Sequence, residues 1–485
     1  MLKKGLITTL FVIGLAIAAL NTDKKPDHGH EPDAFERLAK MVNSNTYSRA
    51  APNKTITVHI IPHTHDDMGW LKTVEEYFVG AQDTIAMAGV QYILDGIYTS
   101  LMQDPKKKFT YVEMGFFSMW WYEQTEEVQN NVKKLVKDGR LQFVNGGWSM
   151  SDESNENYED FINNMKAGHD FLYKTFGYRP TIGWHIDPFG HQSAAAALFA
   201  EMGFTSWFFA RGDYQDKEAR MQNNALEWLW RPMYDNLGNR TEIFTHWLYD
   251  HYCYVPGFNV DDRFSGDSPI VDDEDLETYN VDEKLELMYT RVLDQASHYR
   301  TDNILVTFGC DFTYMNALKN FKNTDKLIKY MNEKYDDVNF IYSTPNDYID
   351  SVHKADIAFP VKYDDMLPYA SDKHEYWTGY YTSRANFKTF VRYASEDFTT
   401  QSLALALDSV LTHSEQESTS LMKAYDKFYQ QMGTSQHHDA VSGTSKDHVM
   451  EDYSYNLYKA QQVFKDQFMK SMANLIGGIA SQYEM

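Results

Sequence analysis

Cysteine is nearly missing from this 485-residue chain: Cys253 and Cys310 are the only two. They permit at most one disulfide and have no CxxC spacing, which excludes a disulfide scaffold. Positive charge is also in short supply. With 45 Lys and Arg against 69 Asp and Glu, the formal net charge is −24, and the clustered basic surface that a phosphate backbone or an anionic membrane requires is not available. Nucleic acid is therefore excluded as a default partner. After residue 20 no stretch is apolar enough to cross a bilayer. The acidic run Asp272-Asp273-Glu274-Asp275 lacks the glycine an EF-hand loop needs at its sixth position, so residues 261–286 read as a solvated excursion and not as a calcium loop. No internal repeat is visible.

The chain does have 43% hydrophobic and 15% aromatic residues, enough for a globular protein with a sizeable core and aromatic walls around a polar ligand. Lys3 and Lys4 precede an apolar stretch at 6–20, the layout of a secretory signal peptide. About fifteen apolar residues fall short of the roughly 20 that span a bilayer. Residues 1–20 are accordingly expected to be a cleaved signal peptide and 21–52 a polar lead. The mature chain would then travel the secretory pathway to the lysosome or the extracellular space, with no membrane contact after cleavage. The sequons Asn53-Lys54-Thr55 and Asn239-Arg240-Thr241 fit that route.

From 53 to 365, short β-rich runs alternate with helix-period segments. The runs lie at 56–61, 109–114, 141–144, 181–186, 206–209, 242–245, 303–308 and 338–342, with helical candidates at 74–101, 125–137, 158–176 and 282–297. Such alternation predicts an α/β fold, a mostly parallel barrel-like sheet with covering helices. Between 366 and 485 the pattern turns helical. The stripes Leu403, Leu407, Val410, Leu411, then Leu421, Ala424, Tyr425, Phe428, then Leu457, Ala460, Phe464, Phe468 predict a three-helix bundle.

Chemistry concentrates where strands end, which is where parallel α/β folds build ligand sites. HTHDDMGW (63–70) follows the first run; if its backbone stays extended, His63, His65 and Asp67 project to one side. HIDPFGH (185–191) follows the fourth, with Pro188 and Gly190 enforcing a turn that presents Asp187 at the rim. FGCDF (308–312) puts Asp311 after another strand, although a lone Asp there is more often a turn former or helix cap. QHHDAVSGT (436–444) adds a histidine pair from between the bundle helices. His65, Asp67, Asp187 and His438 make a set of two imidazoles and two carboxylates suited to zinc and compatible with cobalt or manganese.

PHTHDDMGWLKTVEEYF, HIDPFGH, FARGDYQDK, GCDF and QHHDAVSGTS resemble, in the same order, signature blocks of the class II α-mannosidases of glycoside hydrolase family 38, lysosomal type; the similarity runs from about residue 55 to about 458. The resemblance implies an α/β domain, then a three-helix bundle, then long β-rich domains that help close the active site and that have no counterpart here. It implies zinc held by His65, Asp67, Asp187 and His438, with Asp187 as nucleophile and Asp311 as general acid/base. Trp70 and Phe189 would pack around a bound mannose; Arg211, Tyr252, His437 and Asp439 fall at or beside sugar-contacting positions. Cys310 stands where some relatives place a second aspartate. The expected reaction is retaining hydrolysis of α-linked mannose from oligomannose or N-glycan, in which one carboxylate stays ionised and the other carries a proton. Two alternatives stand beside it: a zinc-dependent carbohydrate deacetylase, and an incomplete chain that binds mannose without turnover.

Overall fold

A computed structural model describes residues 55–261, 266–412 and 418–483. The expected signal peptide, the polar lead and Asn53 lie outside them. Among the described residues there are ten strands: β1 (Ile56–Pro62), β2 (Phe109–Tyr111), β3 (Leu141–Phe143), β4 (Ile182–His185), β5 (Ser206–Phe209), β6 (Glu227–Trp230), β7 (Ile243–Trp247), β8 (Asn303–Phe308), β9 (Val338–Tyr342) and β10 (Val361–Lys362). β1 is buried along both faces save Thr57, as befits a parallel strand covered by helices. It lies between β8 and β9, with Thr57 opposite Asn303 and Ile56 opposite Val338. A second segment is β2–β3, and a third runs β10-β6-β7-β5-β4. Strand ends connect the segments: His63 bridges to Thr110, and the Asn145 amide donates to the Ile182 carbonyl at 2.7 Å. The barrel-like sheet is thus mostly parallel but laid out in three hydrogen-bonded segments.

All eight β-rich runs contain strands, and β6 and β10 add two more. β6 pairs antiparallel with β7; its four residues, Glu-Trp-Leu-Trp, are too short to show a period of their own. The helical candidate at 74–101 divides into Val74–Val79 and Val90–Gln103, because Gly80 at φ +75° ends the first helix in the left-handed region. The buried Lys72 ammonium holds the intervening loop by donating to the carbonyls of Ala81, Ala86 and Ala88 at 2.6–2.9 Å. Elsewhere the bounds agree closely: Glu126–Lys137 behind its cap Thr125, Tyr158–Phe176 ended by Gly177, and Val281–Ala296. Residues 272–278 are exposed, as the acidic excursion required.

Three long helices follow, Ala385–Thr412, Ser418–Ser435 and Asp447–Tyr483. The second and third bury Leu421, Ala424, Phe428, Leu457, Ala460 and Phe464. In the first helix the expected stripe is corrected at Leu403, which is 64% exposed; Phe387, Val391, Ala394 and Phe398 form its inward face. The side chains of Leu407, Val410 and Leu411 lie outside the described residues. Ser418–Ser435 runs along Tyr158–Phe176, and this docking carries the histidine pair to the sheet. Trp148 Nε1 donates to Thr434 Oγ1 at 3.2 Å, and Ser149 Oγ to the Gly433 carbonyl at 2.8 Å. A Cβ on Gly433 would come within 2.9 Å of Trp148 Cβ, so glycine permits the approach.

Candidate active site

Beyond β1 the chain stays extended because β8 keeps pairing with it. The His63 amide donates to the Phe308 carbonyl, His65 to Cys310, and Phe312 back to His65, at 2.9–3.2 Å. This sets His65 beside Asp311 as backbone neighbours and carries Asp67 onto the same rim. His63, one strand period earlier, does not join them. Its Nε2 donates to the Tyr252 carbonyl at 2.9 Å, its ring stands edge-on to Trp184, and burial lowers its pKa to about 4.

Asp187 follows β4 on a tight turn with Gly190 at φ +109°. Both flanks of this turn are tied to one fully buried carboxylate. His185 Nδ1 and His191 Nδ1 donate to Glu153 Oε1 at 2.7 and 2.8 Å, and the Gln192 amide donates to Oε2 at 2.9 Å. Burial alone would raise the Glu153 pKa; the two imidazoles, His191 foremost, outweigh it and hold it at about 2. Outside the turn, His191 and Met366 exchange backbone hydrogen bonds at 3.0 and 3.2 Å, so the segment 366–384, irregular save for the 3-10 turn Gly379–Tyr381, packs on Phe189 through Tyr380 and Trp377. Glu153→Gln removes the charge that both imidazoles share. The expected result is a loss of about 2 kcal/mol of stability, the scale for buried hydrogen bonds to a charged group, measured by urea unfolding; a change under 0.5 kcal/mol would dismiss the clamp.

The histidine pair arrives from the bundle. His438 Nδ1 donates to the Met150 carbonyl at 2.9 Å, leaving Nε2 to face the strand ends. There four groups meet, all buried. His65 Nε2 is 2.8 Å from Asp67 Oδ1 and 3.3 Å from Asp187 Oδ2; His438 Nε2 is 3.2 and 3.5 Å from the same two atoms. Yet His65 Nε2, His438 Nε2 and Asp67 Oδ1 have no hydrogen-bond partner. Atoms this close that miss hydrogen-bond angles converge on a common point, and unsatisfied buried donors of mixed imidazole and carboxylate type fit a divalent metal. Electrostatics agree. Burial would lower both histidines, but the facing carboxylates outweigh it, raising His65 well above its ordinary value and His438 to about 10. Protons there balance a negative charge that a cation would balance instead.

The two carboxylates around this cluster are set apart by their neighbours. Burial would raise Asp187, but the Arg211 guanidinium, with His438 and His65, holds it well below the carboxylate range. Arg211 Nε donates to Asp187 Oδ1 at 2.5 Å and its terminal nitrogen pairs with the same oxygen. The guanidinium sits over Trp377, Phe189 and Tyr369 at 5.0–5.8 Å. Asp311 is pushed up to about 7, first by burial and then by the charges of Asp187 and Asp67, against the pull of His65 and a hydrogen bond from Tyr252 OH at 2.8 Å.

Of the remaining expected residues, Phe189 meets the His438 ring edge-on at 5.9 Å and Tyr252 meets His65 at 5.3 Å. His437 Nε2 lies 3.5 Å from Asp67 and 3.6 Å from Asp439, which accepts from Thr444. Trp70 packs half-buried against the main core. Glu113 and Glu153 were not read from the sequence. Glu113 is fully buried, its Oε1 lies 3.8 Å from His65 Nδ1, and burial pushes its pKa well up; it stands behind the His65 ring with no hydrogen bond between the two. An acid placed at a strand end amid buried apolar residues was the available signal.

Two family models match the chain: the glycosyl hydrolases family 38 N-terminal domain over residues 55–372 and the alpha mannosidase middle domain over 375–475. The chain is similar to the lysosomal alpha-mannosidase of Dictyostelium discoideum, 45% identical over 423 residues, covering 86% of this chain and 41% of that protein. The Homo sapiens lysosomal alpha-mannosidase is 42% identical over 429 residues, with the same two shares. The chain therefore spans about two fifths of the length of these relatives. In fold it resembles the crystal structure of an alpha-mannosidase from Enterococcus faecalis V583, with a TM-score of 0.62 at 17% identity, covering 87% of this chain and 43% of that one.

Proposed function

The chain belongs to glycosyl hydrolase family 38, and from that membership we propose that it is a zinc-dependent retaining α-mannosidase acting on oligomannose or N-glycan. The observation that carries this reading is the convergence of unsatisfied His65, Asp67 and His438 atoms on Asp187, beside a second carboxyl, Asp311, that holds its proton near neutrality. Residues 53–365 would form the catalytic part, and 366–485 the helical part that supplies His438. His65, Asp67, Asp187 and His438 would hold the zinc, which when bound supplies a Lewis acid for the vicinal hydroxyls of the sugar.

The chain's own residues account for the proton and the bond changes. Asp187, kept ionised by Arg211, attacks the anomeric carbon as the glycosidic bond breaks. Asp311 gives its proton to the leaving oxygen, then takes one from the water that releases the sugar from Asp187. Tyr252 OH orients Asp311, while Phe189 and Trp70 offer apolar faces to the sugar ring. His437 and Asp439 lie where hydroxyl groups would need partners. A disulfide fits an oxidising compartment, in keeping with a secretory or lysosomal location, and Asn239 of the second sequon is exposed.

Hydrolysis of an aryl α-mannoside by the purified chain, with and without a chelator, tests the proposal through the anomer released first. Retention supports double displacement. Release of acetate from an acetylated sugar without glycosidic cleavage would favour the deacetylase, and zinc and mannose binding without turnover the non-hydrolytic alternative.

A pH profile follows from the direction of the Asp311 shift. The acid works only while protonated, so turnover of substrates with poor leaving groups should fall as pH rises through about 7; a bound cation moves that limb to lower pH. In Asp311→Asn, kcat/KM on an alkyl mannoside should drop by about 10³-fold and kcat/KM on a dinitrophenyl mannoside far less. Equal losses would remove Asp311 from the acid role.

A further inference from the structure

Cys253 and Cys310 are joined by a disulfide, and their chain neighbours Tyr252 and Asp311 are joined by a hydrogen bond of 2.8 Å. One covalent and one polar link thus connect the same two segments, one residue apart. The segments are not held equally without the disulfide. On the strand side, the Cys310 carbonyl accepts from the His65 amide, the Cys310 amide donates to Thr313 Oγ1 at 2.9 Å, and Phe312 returns a bond to His65. Gly309 lies so near the His63 carbonyl that a Cβ there would overlap it. Asp311 therefore stands on a backbone already fixed to β1.

Tyr252 does not. Residues 248–261 contain no helix or strand. The stretch is held to either side of Tyr252, by the Leu248 amide on the Phe209 carbonyl at 2.9 Å and by Lys284 Nζ on the Gly257 carbonyl at 2.6 Å, whereas at Tyr252 and Cys253 themselves the backbone ties beside the disulfide are His63 Nε2 to the Tyr252 carbonyl at 2.9 Å and Thr307 Oγ1 to the Cys253 carbonyl at 3.2 Å. A hydroxyl at the tip of a long side chain on an irregular segment keeps a catalytic hydrogen bond only if its own backbone is held.

We propose that the Cys253–Cys310 disulfide is a positioning element for proton donation: it fixes the segment bearing Tyr252 so that the phenol stays on Asp311, and thereby sets how well the enzyme handles substrates whose leaving oxygen must be protonated. This rests on the hydrolase reading above. Tyr252 acts through Asp311 and is itself a positioning residue.

The test uses the full chain, its Cys253→Ala/Cys310→Ala double variant, Tyr252→Phe, and the combination. A disulfide closing a long loop also stabilises the fold as a whole, so the readout is a ratio. The double variant should lose about tenfold in kcat/KM on an alkyl mannoside and less than about threefold in kcat/KM on a dinitrophenyl mannoside, since kcat/KM ends with departure of the leaving group and omits the later base step. Tyr252→Phe, which keeps the disulfide, should show the same pattern, and adding it to the double variant should cost little more. Equal losses on both substrates, or a full further loss in the combination, would overturn the proposal. A crystal structure of the double variant supplies an activity-independent arm: the phenol should leave Asp311 Oδ1, and its retention at hydrogen-bond distance would sink the idea. Should the parent chain hydrolyse neither mannoside, the hydrolase reading fails while the crystal structure still decides what the disulfide holds.

Discussion

Asp187→Asn is expected to lower kcat by about four to six orders of magnitude, the scale seen when an attacking group is removed from an otherwise intact site. The substitution preserves size and deletes the charge. Arg211 loses the carboxylate it grips through two nitrogens, and an amide oxygen does not form the ester to the anomeric carbon that a carboxylate forms. Measuring kcat on a dinitrophenyl mannoside isolates this step, because so good a leaving group needs no proton from Asp311. The smaller Asp187→Ala protein offers a second reading of the same role. With azide present, turnover should return and give the β-mannosyl azide, since a small anion entering on the Asp187 side inverts the centre once. Activity within tenfold of the parent in Asp187→Asn would dismiss Asp187 as the attacking group.

Why Asp187 and Asp311 were readable in the sequence, and Glu113 and Glu153 were not, has a physical basis. An apolar run followed at once by His, Asp and Gly is a local pattern, and the parallel sheet places every such end on one rim. β1, β4 and β8 each gave that pattern, with Asp67, Asp187 and Asp311 just beyond. The set His65, Asp67, Asp187 and His438 was likewise legible by residue type, but its assembly was not. What assembles it is the seat of Gly433 on Trp148 and the hold of Met150 on His438, the latter a contact between residues 288 positions apart. Glu153 acts from a turn with no local period, through two histidines that flank Asp187. Only the folded chain shows His185 and His191 donating to one oxygen. The division of the 74–101 helix had a visible cause in Gly80, whereas β6 owes its existence to the neighbouring edge of β7. His63 shows the limit of a period-two argument: it gives the side on which a residue lies, but the Tyr252 carbonyl and Trp184 decided what that ring met.

His438→Ala should strip the metal, and the comparison with His437→Ala determines which donors hold it. Two sets overlap at this rim, His65, Asp67, Asp187 and His438 in one, Asp67, His437, His438 and Asp439 in the other. His438 belongs to both, so its loss should take bound zinc from about one per chain to near zero after dialysis, because a three-donor remnant binds far more weakly than a closed four-donor site. Turnover should fall with it. The protein should also lose stability: the Met150 carbonyl loses its imidazole donor and keeps only the backbone amide of residue 438, and the buried carboxylates of Asp67 and Asp187 lose one of the two imidazoles between them. His437 separates the sets. Its ring belongs only to the second, and burial together with the neighbouring His438 charge keeps its pKa low, whereas the carboxylates facing His65 and His438 outweigh burial and raise both. Two rings drawn positive by converging carboxylates mark where a cation is most stabilised. His437→Ala should therefore keep its zinc and lose affinity for the sugar, read as a rise in KM. If His437→Ala emptied of metal while His65→Ala stayed loaded, the ion would belong to the second set and Asp187 would have Arg211 but no metal ion beside it.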